Sequence, residues 1–204
     1  MLSRFKTVEF GQRMYVVARD KQSIMFDPGY LSDEVLAEVI NSIEIPIAIF
    51  LTHGHFDHLN GIPQIHKVFG AVPVFMNSLD EPLLKQNRLL QFVTKSKSSP
   101  YLLQEYLNIE SQLSNEILGK FKVKGVSTPG HTPGSTCFIY ERTLISGDTL
   151  IRREFGPTML PGGDPTSMKK TLLQLKANDD FDTIAPGHGD FFSKLDLDWT
   201  IDVL

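Results

Sequence analysis

Ile45-Pro46-Ile47-Ala48-Ile49-Phe50-Leu51-Thr52-His53-Gly54-His55-Phe56-Asp57-His58 is the stretch from which the rest of the chain can be read. Residues 45–52 form an apolar, largely β-branched run, the pattern of a buried strand. The six residues that follow contain three histidines and an aspartate. A polar cluster therefore sits where a core strand runs out into a loop. The strand fixes the backbone there and the loop aims the side chains, which suits the holding of metal ligands. His53 and His55 lie on the same side of an extended backbone and can close on one ion. Asp57 and His58 leave in other directions and can reach a second. Gly54 between the first pair allows tight backbone turning without a side-chain clash.

The remaining histidines extend this pattern. The chain has six in all. His131 lies in Thr128-Pro129-Gly130-His131-Thr132-Pro133-Gly134-Ser135, and His188 lies in Pro186-Gly187-His188-Gly189-Asp190. Each of these turns follows an apolar run. Only His66 falls inside a helix-like segment, where a structural role is expected. Asp148, in Gly147-Asp148-Thr149, ends another strand-like run. Four strand ends thus offer five histidines and two aspartates: His53, His55, Asp57, His58, His131, Asp148 and His188.

Outward from the motif, strands are expected at 5–10, 13–18, 23–26, 72–76, 121–126, 138–140, 143–146 and 181–185, separated by Gly, Pro and Asp turns. Ser32 or Asp33 caps a helix whose stripe is Val35, Leu36, Val39 and Ile40. A helix over 59–69 and the strand after it complete a parallel crossover unit. Asp164-Pro165 opens a helix that turns Met168, Leu172 and Leu175 inward. Residues 79–118 read as a helical insertion: two helices around the Lys95–Pro100 breaker, serving either as structural packing or as a lid or wall of a substrate cleft. No linker divides residues 1–204 into independent domains.

Hydrophobic residues make up 41% and charged residues 22%, as in soluble globular proteins. The net charge of −4 gives no electrostatic basis for holding nucleic acid. The single cysteine, Cys137, excludes an internal disulfide and lies in an apolar run, so a buried thiol is expected. The N-terminus shows no apolar signal region and no stretch approaches bilayer length, which points to a cytoplasmic protein without a membrane partner. Seven imidazole and carboxylate ligands are too many for one tetrahedral ion and suit two divalent ions, zinc first, with iron or manganese as alternatives. Two such ions can share a water, lower its pKa toward ~7 and supply hydroxide at neutral pH.

The motif 53–58, taken with Gly130-His131, Gly147-Asp148-Thr149 and Gly187-His188-Gly189, resembles the metallo-β-lactamase-fold hydrolases, in order and over nearly the whole chain. The resemblance implies an α/β fold, a four-layer αββα sandwich, with the metal site at one edge between the sheets. It implies one ion on His53, His55 and His131, another on Asp57, His58 and His188, and a bridge through Asp148. Within that superfamily, residues 128–135, Gly147-Asp148-Thr149-Leu150 and Pro161-Gly162-Gly163-Asp164 are most similar to the hydroxyacylglutathione hydrolase, or glyoxalase II-like, branch. Full-length members of that branch add a C-terminal helical domain that grips glutathione. This sequence ends shortly after His188, without it. The segment after Asp148 also departs from the branch pattern, reading Ile151-Arg152-Arg153-Glu154-Phe155-Gly156.

The function expected on this basis is hydrolysis of a thioester or related acyl bond in a small-molecule substrate, with Asp57 and Asp148 as the catalytic carboxylates and Arg152 or Arg153 binding an anionic part of the substrate. The alternatives are a lactonase or another hydrolase of the same fold, a mono-iron sulfur dioxygenase-like enzyme, and a non-catalytic metal-binding module.

Overall fold

Alternation along the central strands sorts side chains into separate apolar layers. In the strand Arg13–Arg19, Met14 and Val16 join one core cluster while Tyr15 and Val17 join another. Ile45–Phe50 behaves likewise: Ala48 and Phe50 face the second cluster, and Ile49, with Leu51 just past the strand, faces the first. A strand buried on both faces needs a layer on each side. The computed structural model supplies those layers. It describes residues 1–96, 98, 101–151 and 154–197.

The first sheet has the order β1-β2-β3-β4-β5-β6 and the second the order β11-β10-β9-β8-β7. The first comprises β1 (Leu2–Lys6), β2 (Arg13–Arg19), β3 (Gln22–Phe26), β4 (Ile45–Phe50), β5 (Val74–Met76) and β6 (Leu107–Asn108). The second comprises β7 (Val123–Ser127), β8 (Thr136–Tyr140), β9 (Thr143–Gly147), β10 (Thr183–Pro186) and β11 (Phe192–Ser193). β3, β4, β5 and β6 are mutually parallel, as are β9 and β10, while the remaining pairs are antiparallel.

Between the sheets lie Tyr15, Val17, Phe26, Phe50, Phe75, Phe138, Ile145 and Ala185. Phe138 joins the two halves, with its ring 4.8 Å from that of Phe26 and 5.7 Å from that of Phe50. The outer face of the first sheet is covered by α1 (Asp33–Ser42), α2 (Ile62–Phe69) and α3 (Glu81–Thr94), through Val39, Ile62, Ile65 and Leu84. On the second sheet, α5 (Pro165–Ala177) packs Met168, Leu172 and Leu175 over Cys137, Ile139, Leu144 and Ile184. The result is the expected αββα sandwich. α4 (Gln112–Lys120) leads into β7 and adds Leu118 to the inter-sheet cluster.

Four local expectations need correction. β1 spans Leu2–Lys6, earlier than the expected 5–10, because the chain leaves the sheet at Thr7 and turns through Phe10, at φ +48°, and Gly11. The helix expected over 59–69 begins only at Ile62, after a 3-10 turn over Phe56–His58. In the insertion, α3 forms, but Leu102, Leu103, Tyr106 and Leu107 do not make a second helix. Leu103 is buried and Tyr101 and Tyr106 pack beside it in non-helical backbone, Leu107 pairs with Phe75 in β6, and the helix starts at Gln112. Finally, Gly54 has no left-handed backbone. A Cβ there would stand 3.1 Å from Asp80 Cβ, so close approach is what calls for glycine.

His66 is half-buried, with its Nε2 paired to the Val72 carbonyl at 2.9 Å, a structural contact. Cys137 is fully buried beside Thr128, and burial pushes its thiol up to about 11. Among the described residues, no helix is long and apolar enough to cross a membrane.

Candidate metal centre

Every residue of the cluster follows the C-terminal end of a strand. β4 delivers His53 and His55, and the 3-10 turn after it presents Asp57 and His58. His131 stands in the turn between β7 and β8, Asp148 directly follows β9, and His188 follows β10. The two sheets are joined at this edge by the Thr136 N–H, which donates to the Thr52 carbonyl at 2.8 Å. Ligands at the carboxyl ends of strands are the general rule in α/β sheets.

All seven residues read from the sequence as candidate ligands converge here. Three groups have potential ligand atoms within 4.8 Å of one another: His53, His55 and His131; His53, His58 and Asp148; and Asp57, His58 and His188. Asp148 lies between the halves. Its Oδ1 is 3.3 Å from His58 Nε2, and its Oδ2 is 3.4 Å from His188 Nε2 and 3.8 Å from His131 Nε2. Asp57 Oδ2 is 3.2 Å from His188 Nε2 and 3.7 Å from His58 Nε2. Arg152 and Arg153, expected to bind substrate, lie outside the described residues.

The outer nitrogen of four rings is engaged away from the cluster. His58 Nδ1 pairs with Asp27 Oδ2 at 3.0 Å, His131 Nδ1 with the Pro157 carbonyl at 2.9 Å, and His188 Nδ1 with the Phe10 carbonyl at 3.2 Å. Thr52 Oγ1 donates to Asp27 Oδ2 at 2.7 Å, so its 3.0 Å contact with His53 Nδ1 is one in which the ring N–H donates. In all four rings Nε2 points inward, and a neutral ring with its proton on Nδ1 offers a lone pair there. His55 is turned the other way, its Nδ1 3.0 Å from His131 Nε2.

The inward atoms His53 Nε2, His58 Nε2 and Asp148 Oδ1 are buried without a hydrogen-bond partner. Orphaned buried polar atoms are costly and rare. Others occur elsewhere among the described residues, at Gln12, Asn60, Asn87, Gln91 and Ser114, but these three face one another, and the donor set of imidazole and carboxylate is the one divalent cations take. The residues fit a metal centre.

Charge is arranged to match. Burial, with His58, His55 and His131 close by, holds His53 well below the usual histidine range. Burial and His131 bring His55 down to about 4. Burial would also lower His58 and His188, but the carboxylates reverse the sign: Asp148, Asp57 and Asp27 raise His58 well above its usual range, and Asp148 and Asp57 lift His188 to about 10. Against the opposing effect of burial, His58 and His188 hold Asp57 and Asp148 below the ordinary carboxylate range. The two carboxylates and the His58 and His188 rings thus favour each other's charged forms.

Close packing leaves no room for side chains at two nearby glycines. A Cβ on Gly187 would collide with Asp148 Oδ1 and stand 2.7 Å from His58 Cε1. One on Gly156 would collide with the Asp148 carbonyl and stand 2.6 Å from His131 Nδ1.

Asp27 and Asp80 support the cluster without having been singled out in the sequence. Asp27 Oδ1 accepts the Thr52 N–H at 2.7 Å, and the residue is buried. Asp80, also buried, contacts the loops that carry His55 and His131. Burial raises the Asp80 carboxyl despite the bonds it accepts. Asp27 in Asp-Pro-Gly reads as a turn and Asp80 falls at the start of the helical insertion, so the available signal was their position after strands that end on the same sheet edge.

An αββα sandwich that gathers imidazoles and carboxylates at one edge defines a class of metal-binding α/β proteins. The sequence profile of the Metallo-beta-lactamase superfamily matches residues 8–188, and the chain belongs to that superfamily. It is 32% identical over 180 residues to an uncharacterized protein of Aquifex aeolicus (strain VF5), covering 86% of this chain and 83% of that one. It is 28% identical over 187 residues to the "Probable metallo-hydrolase YqgX" of Bacillus subtilis (strain 168), again covering 86% and 83%. Among solved structures, the di-iron-bound form of TTHA1623 superposes with a TM-score of 0.82 at 27% identity, over 99% of this chain and 100% of that one. BLEG-1, a B3 metallo-beta-lactamase, superposes with a TM-score of 0.75 at 26% identity, over 96% and 95%.

Proposed function

We propose that the chain is a metal-dependent hydrolase that holds two divalent ions and cleaves a thioester or related acyl bond in a small-molecule substrate. The observation that carries this reading is the set of inward-facing, unpartnered donor atoms at the meeting of the two sheets. The name of the Bacillus relative supports a hydrolase, and the di-iron-bound neighbour supports a pair of ions. The acyl substrate class rests on the resemblance of residues 128–135 and 147–150 to the glyoxalase II-like branch.

His53, His55 and His131 would hold one ion, Asp57, His58 and His188 the other, with Asp148 between them. Bound there, the ions would polarise the scissile carbonyl and supply hydroxide at neutral pH. The chain's own part is to orient and to move protons. The Asp27 carboxylate, directly and through Thr52, fixes which nitrogen of His58 and His53 faces the centre. The Phe10 and Pro157 carbonyls do the same for His188 and His131. Asp57 Oδ2, held ionised at the rim of the cluster, is the atom placed to take a proton from an attacking water. The donor set accepts zinc, iron or manganese, and the di-iron neighbour favours iron.

Metal analysis of the purified protein, with turnover assays on thioesters, lactones and β-lactams, tests this reading. Two ions per chain and thioester turnover abolished by chelation are expected. One iron per chain with oxygen consumption would instead identify a dioxygenase, and a fully loaded protein inert on the whole panel would overturn the hydrolase.

A further inference from the structure

Asp80 immediately precedes α3, where an aspartate ordinarily caps the first free N–H groups of the helix. It makes no such bond. Its carboxylate turns instead toward the metal centre and accepts three hydrogen bonds from two loops. Oδ2 takes the Gly54 N–H at 2.9 Å and the Thr132 hydroxyl at 2.8 Å, and Oδ1 takes the Gly134 N–H at 2.6 Å. Gly54 separates His53 from His55, and Thr132 and Gly134 lie one and three residues after His131. Two turns along α3 from Asp80, Asn87 donates to the Gly54 carbonyl at 2.8 Å. The fit is tight, since a Cβ on Gly134 would stand 2.7 Å from the Asp80 carboxyl carbon.

Among the described residues, the Asp80 carboxylate bonds only to Gly54, Thr132 and Gly134, none of them in the other half. His58 is anchored by Asp27, and His188 by the Phe10 carbonyl. We infer that Asp80 is the positioning residue that clamps the loop of His53 and His55 to the loop of His131 in the three-histidine half, while Asp27 anchors His58 directly and touches the three-histidine half only through Thr52 and the His53 ring. The helix gives up its cap to build this clamp. Removing a group that orients ligands typically costs 10–100-fold in metal affinity, and the inference is that this loss falls on one half only.

Asp80→Asn keeps the shape but loses the charge and places an amide N–H against one of the loop donors. The first measurement needs no metal. In nitrogen-detected NMR of the chelated protein, the ring signals of His53, His55 and His131 should move or broaden in Asp80→Asn while those of His58 and His188 stay. The second is a cobalt(II) titration, which rests on the two-ion reading above. Asp80→Asn should weaken one equivalent by about 10–100-fold. Its spectrum at one equivalent should match that of His55→Ala and differ from that of His188→Ala. Thr132→Val, which removes a single donor to Asp80, should shift the same signals less and serves if Asp80→Asn does not fold. Ring signals that all move together, or do not move, overturn the clamp. A wild-type protein that binds fewer than two equivalents overturns the two-ion reading instead, and the ring signals still judge Asp80.

Discussion

An imidazole has two nitrogens, and how a protein engages the outer one decides what the inner one can do. At His58 the outer nitrogen is held by Asp27, which also takes the N–H and hydroxyl of Thr52. Asp27→Asn replaces that acceptor pattern with an amide, and we expect metal affinity to fall by about 10–100-fold, read by chelator competition, with little change in far-UV circular dichroism. Space is as strictly assigned as hydrogen bonds. Gly187→Ala puts a methyl group where Asp148 Oδ1 and His58 Cε1 already lie. The variant should therefore purify folded but bind less than one full complement of metal, and a normal metal content would show that the neighbours can yield.

At the scale of elements, α5 shows how a single cap carries charge into stability. Asp164 accepts the N–H groups of Thr166 and Ser167 and the Ser167 hydroxyl, with Pro165 at the first helical position. The Ser167 hydroxyl, followed by these N–H groups, holds the exposed carboxyl below its ordinary value. A depressed folded-state pKa contributes stability above the unfolded value of about 3.9 and loses it as pH falls through the folded one. Wild type should therefore melt above Asp164→Asn at pH 7, and the gap should close as the pH is lowered below about 4.

The same scale explains what the sequence made legible. His53, His131, Asp148 and His188 each follow an apolar run that ends in a Gly- or Pro-bearing turn, so strand end and ligand could be read together. The cap of α5 and its inward Met168, Leu172 and Leu175 were equally plain. Asp27 and Asp80 were not. An aspartate before Pro-Gly or before a helix has a complete local explanation, and only the third dimension shows its carboxylate turned elsewhere. The spacing of Leu102, Leu103, Tyr106 and Leu107 matched a helix, but Leu102 and Leu107 are exposed and Leu107 found a partner in β5. Tertiary pairing overrode local periodicity there. α3 buries Leu83 and Leu84 in its first turn but inverts the usual arrangement further along, with Asn87 and Gln91 inside and Leu89, Phe92 and Val93 outside.

Across the whole molecule, the aromatic layer between the sheets holds the two halves in register. Phe138 is fully buried against Phe26 and Phe50. Phe138→Ala should cost about 3–5 kcal/mol in denaturant unfolding, and because the strands beside it end at the metal centre, activity should fall along with stability. A loss under 1 kcal/mol would mean that the layer closes around the gap.

Because His53, His55, Asp57 and His58 come from one sheet while His131, Asp148 and His188 come from the other, a complete binding place does not exist until the two sheets have docked. Metal then acts as a rivet driven through a finished joint. Its influence should fall on the rate of coming apart, not on the rate of assembly. Stopped-flow measurements should show unfolding slowed by bound metal, while refolding from denaturant proceeds at the same pace with or without metal in the buffer.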